Sequence, residues 1–240
     1  MIFGGIYPKL PMNTLKSLSG VGIVFAGTVS AIAGMTVLPA SAVTFTGTGT
    51  GFNIPDNNAT GASSTITVPT SSNFSITNIT VTLNNPIHGR IGDLIATLTH
   101  VDTATTVSLF NRIGRVGSGL GDDSNFAGGN NYSFNDAFTG DLWAVAASGG
   151  SAFVIPGGDY FPTGANSGTA VPMLASLGGQ LSSGTWRLTI SDNAMSSGGS
   201  LGNGWTLNLQ GTPIPEPSSG LGLLALGLLG AGAALKRHWN

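Results

Sequence analysis

The sequence predicts an all-β fold, an antiparallel β-sandwich, and three observations support this prediction. Apolar and polar residues alternate with period two in three runs, from Ile79 to Leu83, Trp186 to Ile190 and Trp205 to Leu209. This alternation buries one face of each strand and leaves the other in solvent, as in antiparallel sheets that pack as a sandwich. Clusters of Gly, Asn and Asp separate the runs and supply the positive φ angles that turns need. Helical periodicity is weak across positions 43 to 213, where Ala170 to Leu177 predicts a turn or two and nothing longer.

Composition narrows the functional classes. Charged residues make up 8% of the chain, well below the roughly 25% of ordinary soluble domains. Positions 43 to 214 hold four Arg against nine Asp, a formal charge of −5 without a basic patch, so nucleic-acid binding is not expected. The chain has no Cys, which excludes disulfides, thiolate nucleophiles and Cys-based metal sites.

The N-terminal segment has the pattern of a secretory signal peptide. Lys9 and Lys16 precede the apolar stretch Val21 to Leu38, and the small residues Ala40-Ser41-Ala42 follow it. Basic, apolar and small-residue regions in this order predict a signal peptide over residues 1–42, cut by signal peptidase before Val43. An uncleaved N-terminal membrane helix is the alternative.

The C-terminal segment has three parts that suit a short membrane anchor. Pro215, Glu216 and Pro217 come first, the apolar run Gly220 to Leu235 follows, and Lys236-Arg237-His238 come last. A helix of the sixteen apolar-run residues would span about 24 Å, somewhat less than the ~30 Å hydrocarbon core. Basic residues directly after the run would hold that end on the cytoplasmic side.

This tail, PIPEPSSGLGLLALGLLGAGAALKRHWN, resembles the PEP-CTERM sorting signal of bacterial exported proteins. The resemblance implies that residues 213–240 are a sorting signal read by an exosortase. It also implies cleavage near Pro215-Glu216-Pro217 and delivery to the cell envelope, the cell surface or the extracellular matrix, often together with exopolysaccharide. A simple tail anchor is the alternative.

Four segments of the middle of the chain are distinctive: IPDN at 54–57, the run from His88 to Leu94, GTW at 184–186 with its strand and Asp192, and GW at 204–205. In sequence and in order these segments resemble the P domain that follows the catalytic domain of subtilisin-like proprotein convertases. They cover residues 52–211, so the resemblance implies a jelly-roll β-sandwich of about eight strands over residues 43–212. The chain departs from the family in three ways. His88 to Gly92 reads HGRIG, HVDTATT replaces the usual turn after the third strand, and the chain carries no peptidase domain.

Calcium is the one cofactor that the sequence suggests. Asp and Asn are abundant in the predicted loops, and calcium prefers six to eight oxygen ligands from such residues. Asp93, Asp122, Asp123 and Asp192 are the candidate ligands. Asp residues that only make turns and solvate loops are the alternative, since no EF-hand pattern is present.

No enzyme motif stands out. The chain has no H-E-x-x-H pattern, and its G-x-S-x-G string at 198–202 is not followed by a predicted helix, as a nucleophile elbow requires. His88 and His100 are the only imidazoles of the predicted domain. Trp186 and Trp205 continue apolar alternations and are expected in the core. Four other aromatic residues are candidates for an exposed partner surface: Tyr132, Trp143, Tyr160 and Phe161.

The sequence thus predicts an exported, non-catalytic protein whose β-domain binds an exopolysaccharide or a surface protein. The alternative, which follows from the P-domain resemblance, is an accessory domain that stabilises or targets a separately encoded subtilisin-like serine protease.

Overall fold

The computed structural model describes residues 41–151 and 153–214, which contain thirteen β-strands and two short α-helices. The predicted signal helix and C-terminal helix lie outside the described residues. In chain order the strands are β1 (Val43–Gly49), β2 (Phe52–Ile54), β3 (Asn58–Val68), β4 (Phe74–Asn84), β5 (Pro86–His88), β6 (Leu94–His100), β7 (Thr105–Asn111), β8 (Phe126–Ala127), β9 (Asn131–Phe134), β10 (Gly158–Tyr160), β11 (Gly184–Asp192), β12 (Gly199–Leu201) and β13 (Trp205–Pro213). The helices are α1 (Leu142–Ala147) and α2 (Leu174–Leu177).

The long strands form a jelly roll. One sheet has the order β1-β13-β4-β9-β10 and the second has the order β3-β11-β6-β7. Apart from the parallel edge pair β9 and β10, the neighbours in both sheets are antiparallel. Leaving out β10, each sheet contributes four strands, and the chain crosses between the sheets as in two Greek keys. The predicted all-β jelly-roll sandwich is therefore confirmed.

A third, smaller sheet closes one end of the sandwich. Its order is β2-β12-β5-β8, and each of its strands belongs to a connection between consecutive strands of the two large sheets. We call this end, formed by β2, β5, β8 and β12 with their adjoining loops, the small-sheet end. Both ends of the β-domain lie at the opposite end, because Val43 pairs with Gly211 and Pro213 pairs with Phe74.

The core follows the alternation of the sequence. The side chains of Trp186, Leu188 and Ile190 are buried on β11, and those of Trp205, Leu207 and Leu209 are buried on β13. The indole N–H groups of these two Trp residues both donate a hydrogen bond. Trp186 Nε1 donates to Ser182 O at 2.9 Å, and Trp205 Nε1 donates to Ser64 Oγ at 2.7 Å. Both Trp residues therefore lie in the core, as the sequence predicted.

The helix α1 was not predicted. It begins after Asp141, whose carboxylate accepts hydrogen bonds from the backbone N–H groups of Trp143 and Ala144. An Asp in this capping position satisfies N–H groups that have no partner within the helix. The run LWAVAA at 142–147 is too short to show helical periodicity, so the cap was the only signal for this helix. Within the described residues, no helix has the length and hydropathy needed to cross a membrane.

Candidate functional site

A cavity of about 300 Å³ opens at the small-sheet end. Four connections line it. The β5–β6 connection contributes Arg90 and Asp93, the loop after β7 contributes Asp123, the loop after α1 contributes Ser151, and the β11–β12 connection contributes Met195 and Ser196. We call this cavity the end cavity. The connections of a jelly roll gather at its two ends, and these lie together at the end closed by the small sheet.

A buried charge network forms one wall of the end cavity. Asp93 is 1% exposed, and its Oδ1 atom lies 3.7 Å from Arg90 Nε and 3.7 Å from Arg112 Nη2. Neither distance is a hydrogen bond, so Asp93 Oδ1 and Arg90 Nε are both buried without a hydrogen-bond partner. Arg112 Nε instead donates to Gly92 O at 2.9 Å, and Arg90 Nη2 pairs with Asp123.

The pKa of the Asp93 carboxyl is raised by its burial. The Asp192 carboxylate raises this pKa further, whereas Arg90, His88 and Arg112 lower it. Burial also lowers the pKa of the Arg112 guanidinium. Perturbed groups of this kind are enriched in functional sites, and the Asp93 carboxyl is both perturbed and, at Oδ1, without a hydrogen-bond partner.

His88 lies next to this network, and both of its ring nitrogens are within hydrogen-bond distance of other groups of the fold. Nε2 is 2.9 Å from Asp192 Oδ2, with both side chains fully buried, and Nδ1 is 2.8 Å from Arg90 O. Asp192 also accepts a hydrogen bond from Ala194 N at 3.0 Å. A general base needs a nitrogen that reaches a substrate proton. Both nitrogens of His88 contact protein groups instead.

His100 is similarly occupied at the opposite end of the sandwich. Its ring stacks on Trp186 at a centroid distance of 4.4 Å and an interplanar angle of 8°. Nδ1 contacts Gln180 Oε1 at 3.3 Å, and Nε2 contacts Ser183 O at 3.1 Å. Both imidazoles of the described residues therefore serve the fold.

The four candidate calcium ligands do not converge. Asp93 lies beside Asp192, but the Asp192 carboxylate is engaged by His88, as described above. Asp122 Oδ1 accepts from Ser124 N at 2.8 Å, and Asp123 pairs with Arg90. Among the residues that the structure describes, no three acidic or His side chains are grouped so as to hold a metal ion.

The charges around Asp93 do not fit calcium. Its buried oxygen Oδ1 lies 3.7 Å from the guanidinium groups of both Arg90 and Arg112, which would repel a divalent cation. Calcium also needs several further oxygen ligands. Calcium binding stays an untested prediction, and the geometry argues against Asp93 as its centre.

Two of the aromatic candidates are core residues, so their predicted exposure is wrong. Tyr132 is 0% exposed and Tyr160 is 4% exposed. Their hydroxyl groups donate to Ile155 O at 2.6 Å and to Pro156 O at 2.7 Å, and burial raises the pKa of both phenols. The loop-rich sequence around them concealed a β9–β10 strand pair whose inward face they occupy.

The other two aromatic candidates are half-buried. Trp143 lies on α1 and packs partly against the core, with its indole N–H buried and without a partner. Phe161 directly follows β10, and its backbone N–H donates to Gly140 O at 3.0 Å. Neither residue lines the end cavity, so the structure does not bring the four aromatic residues together at one exposed surface.

The cavity residues that the sequence analysis missed are Arg90 and the loop from Met195 to Ser197. Asp56 holds this loop, since its carboxylate accepts from Ser196 N at 3.3 Å and from Ser197 N at 3.2 Å. Ser196 has a φ of +99°, which is rare for a residue with a side chain. The sequence signal was weak, because serines in a Gly-rich loop usually only form turns.

The tail was compared with known protein families. The PEP-CTERM protein-sorting motif matches residues 213–237. This chain carries a PEP-CTERM sorting motif. The match confirms the predicted sorting signal, and it begins at Pro213, the last residue of β13.

The similarity of this chain to solved structures is low. The chain is similar to the serine protease of Aeromonas sobria, at 15% identity over 73% of this chain and 28% of that chain, with a TM-score of 0.36. The complex of that protease with its chaperone matches at 17% identity over 74% of this chain and 28% of that chain, with a TM-score of 0.37. The chain thus spans little more than a quarter of either one. No curated protein matches the chain.

Proposed function

We propose that this chain is an exported, non-catalytic protein of the bacterial envelope or extracellular matrix. Signal peptidase removes residues 1–42, an exosortase reads the tail, and the P-domain-like sandwich acts as a binding module. The observation that carries the proposal is the PEP-CTERM motif at residues 213–237, which begins where β13 ends.

The geometry of the sandwich suits a tethered binding module. The sorting motif leaves the domain at Pro213, at the end opposite the small-sheet end. The end cavity therefore lies at the end of the sandwich away from the residue where the tail begins. After cleavage near Glu216 the same end would be free to bind a matrix component.

The chemistry of the described residues supports a role without catalysis. Both ring nitrogens of His88 and of His100 contact other groups within the fold. Hydrolysis by a serine nucleophile would require one of these nitrogens to accept the hydroxyl proton. The carboxylates of Asp123 and Asp192 are likewise paired with a cation or an imidazole.

The test is where the protein goes in an exosortase-bearing bacterium. We expect the wild-type chain to reach the cell surface or the medium. A variant with Pro215→Ala, Glu216→Ala and Pro217→Ala should stay in the membrane fraction, because the processing motif is lost. The matched control Ser218→Ala with Ser219→Ala leaves the motif intact and should behave as wild type. Release of the triple variant at the wild-type rate would overturn the proposal.

A second hypothesis is that the domain assists a separately encoded subtilisin-like serine protease. It rests on the sequence segments shared with P domains, above all His88 to Leu94 and GTW at 184–186. Co-expression decides between the two roles. An accessory domain raises the yield of soluble, active protease, whereas a matrix-binding module leaves that yield unchanged.

A further inference from the structure

We propose that, while the tail is still attached, the end of the sandwich from which the tail leaves lies on the surface of the lipid bilayer. We call this surface the tail-side end. It consists of the β3–β4, β6–β7 and α2–β11 connections and the last described residues, at positions 69–73, 101–104, 178–183 and 212–214. The inference rests on the proposed function, because it requires the apolar run of the tail to enter a membrane.

The first argument is the short tether between the sandwich and the apolar run. Ile214 is the last described residue, and only the five residues 215–219 separate it from Gly220, where the run begins. The six Cα–Cα steps from Ile214 to Gly220 cover at most about 22 Å, and the headgroup layer of one leaflet takes up about 5 to 7 Å of this reach. An inserted run therefore keeps Ile214 within about 15 to 17 Å of the outer edge of the headgroups. A tether this short gives the two surfaces an effective concentration of about a millimolar, so a weak contact between them is enough.

The second argument is that the tail-side end exposes aliphatic side chains. Val101 is 39% exposed, Leu181 is 49% exposed and Ile214 is 41% exposed. Each of them comes from a different segment of this end. The binding of a protein surface to a bilayer interface grows with the apolar area that it buries there, so these three side chains favour contact with lipid.

The fold places these segments next to one another. Leu181 and Thr212 pair with the same residue of β4, Ser75, so the α2–β11 connection and the end of β13 lie on either side of β4. His100, the last residue of β6, contacts Gln180 Oε1 through its Nδ1 atom at 3.3 Å. The β6–β7 connection therefore begins beside the residue that precedes Leu181.

The third argument is that the tail-side end has little charge to desolvate. Asp102 is the only charged side chain among the described residues of this end, and its Oδ2 atom already accepts a hydrogen bond from Thr185 N at 2.6 Å. The loops of the small-sheet end hold seven charged residues: Asp56, Arg90, Asp93, Arg112, Arg115, Asp122 and Asp123. Because removing a charge from water is costly, the tail-side end is the better suited of the two to a neutral lipid surface.

The contact is too small to hold the protein once the tether is cut. Three half-exposed aliphatic side chains bury less apolar area than one acyl chain, and a single acyl chain gives only reversible membrane binding. Cleavage near Pro215-Glu216-Pro217 therefore releases the whole domain without a second step.

The experiment uses the absence of Cys from the chain, which lets one introduced Cys carry one fluorescent label. Leu181→Cys and Val101→Cys place the environment-sensitive fluorophore NBD at the tail-side end. The matched controls Leu120→Cys and Val116→Cys replace the same two residue types with exposed side chains in the loop after β7, at the small-sheet end. The chain is exported in a host without exosortase, so that it keeps its tail, and is reconstituted into phosphatidylcholine vesicles that contain nitroxide-labelled phosphatidylcholine. Nitroxide quenches only those labels that contact the lipid, and flotation measures whether the chain enters the vesicles.

We expect the labels at Leu181 and Val101 to lose most of their fluorescence and the labels at Leu120 and Val116 to keep theirs. Equal quenching at both ends would overturn the inference. A blue shift at Leu181 without quenching would also overturn it, because the tail-side end would then contact a second copy of the chain instead of lipid.

Flotation separates a failure of this inference from a failure of the proposed function. A chain that floats with the vesicles but has an unquenched label at Leu181 overturns the inference alone. A chain that does not float contradicts the entry of the tail into the membrane, on which both the inference and the proposed function rest.

Discussion

Asp93 lies in the candidate site, and its burial lowers the stability of the fold. Its carboxylate is buried between Arg90 and Arg112, yet one oxygen has no hydrogen bond. Burial of a charge without full pairing destabilises a fold. The sequence singled out Asp93, but as a calcium ligand, because a linear pattern of Asp residues does not reveal which cations the fold brings beside them.

The raised pKa of Asp93 predicts a pH-dependent stability difference. Below its usual pKa of 3.8 the carboxyl is protonated in both the folded and the unfolded chain. As the pH rises through the higher folded-state pKa, the unfolded chain has already released this proton, so the free energy of unfolding falls. Asp93→Asn lacks this loss. The stability of wild type minus that of Asp93→Asn should therefore decrease from pH 3.5 to pH 7.

Urea unfolding of the full chain at several pH values measures this difference. Asp192, His88, Arg90 and Arg112 surround Asp93 and are present in both proteins, so the subtraction removes the effect of their own titration to first order. Asp159→Asn controls for the net charge. A stability difference that is constant or grows with pH would contradict the raised pKa.

Calcium should leave the melting temperature unchanged. Asp93 Oδ1, the one buried carboxylate oxygen without a partner among the described candidate ligands, lies beside two guanidinium groups. A ligand that binds only the folded state stabilises it by about 2.7 kcal/mol at a hundredfold excess over Kd. A thermal melt with calcium and then with excess chelator measures this. A clear rise that chelator reverses would show that the original calcium prediction was right.

At the scale of elements, the strands with regular alternation were the predictable ones. The runs within β4, β11 and β13 lie in long central strands of the two sheets, where one face is buried. The short strands of the small-sheet end have two or three residues each, which is too few for a period to show. That end holds the candidate site, so the sequence predicted the scaffold better than the site.

The two faces of β13 should differ sharply in their tolerance to substitution. Leu207 is fully buried between the sheets, whereas its neighbour Asn208 lies on the outer face and donates to Thr46 Oγ1 at 3.0 Å. Leu207→Ala should cost about 2–5 kcal/mol, the sum of lost burial and a residual cavity. Asn208→Ala should cost about 1 kcal/mol, since it loses one exposed hydrogen bond. Urea denaturation compares the two variants, and equal costs would contradict the assigned faces.

The cap of α1 gives a second prediction at this scale. Asp141→Ala removes the acceptor for Trp143 N and Ala144 N, and loss of such a cap typically costs about 1 kcal/mol. Asp141→Asn keeps a capping oxygen and should recover most of that loss. If Asp141→Ala is as stable as wild type in thermal unfolding, the capping contacts do not contribute as described.

At the scale of the whole molecule, the sorting motif and the candidate site lie at opposite ends of the sandwich. The PEP-CTERM motif begins at Pro213, and the end cavity lies at the opposite end of the sandwich. The tail was predictable because its three parts are contiguous in sequence. The cavity was not, because it is built from four connections that only the folded jelly roll brings together.

The most direct test of the central claim is the mass of the mature protein recovered from an exosortase-bearing host. The account predicts a chain that begins at Val43 and ends near Pro215-Glu216-Pro217, without the apolar run and the basic residues that follow. A host lacking the exosortase should yield a chain that still ends at Asn240. Recovery of the uncut C-terminus from the surface fraction of the exosortase-bearing host would contradict sorting through this tail.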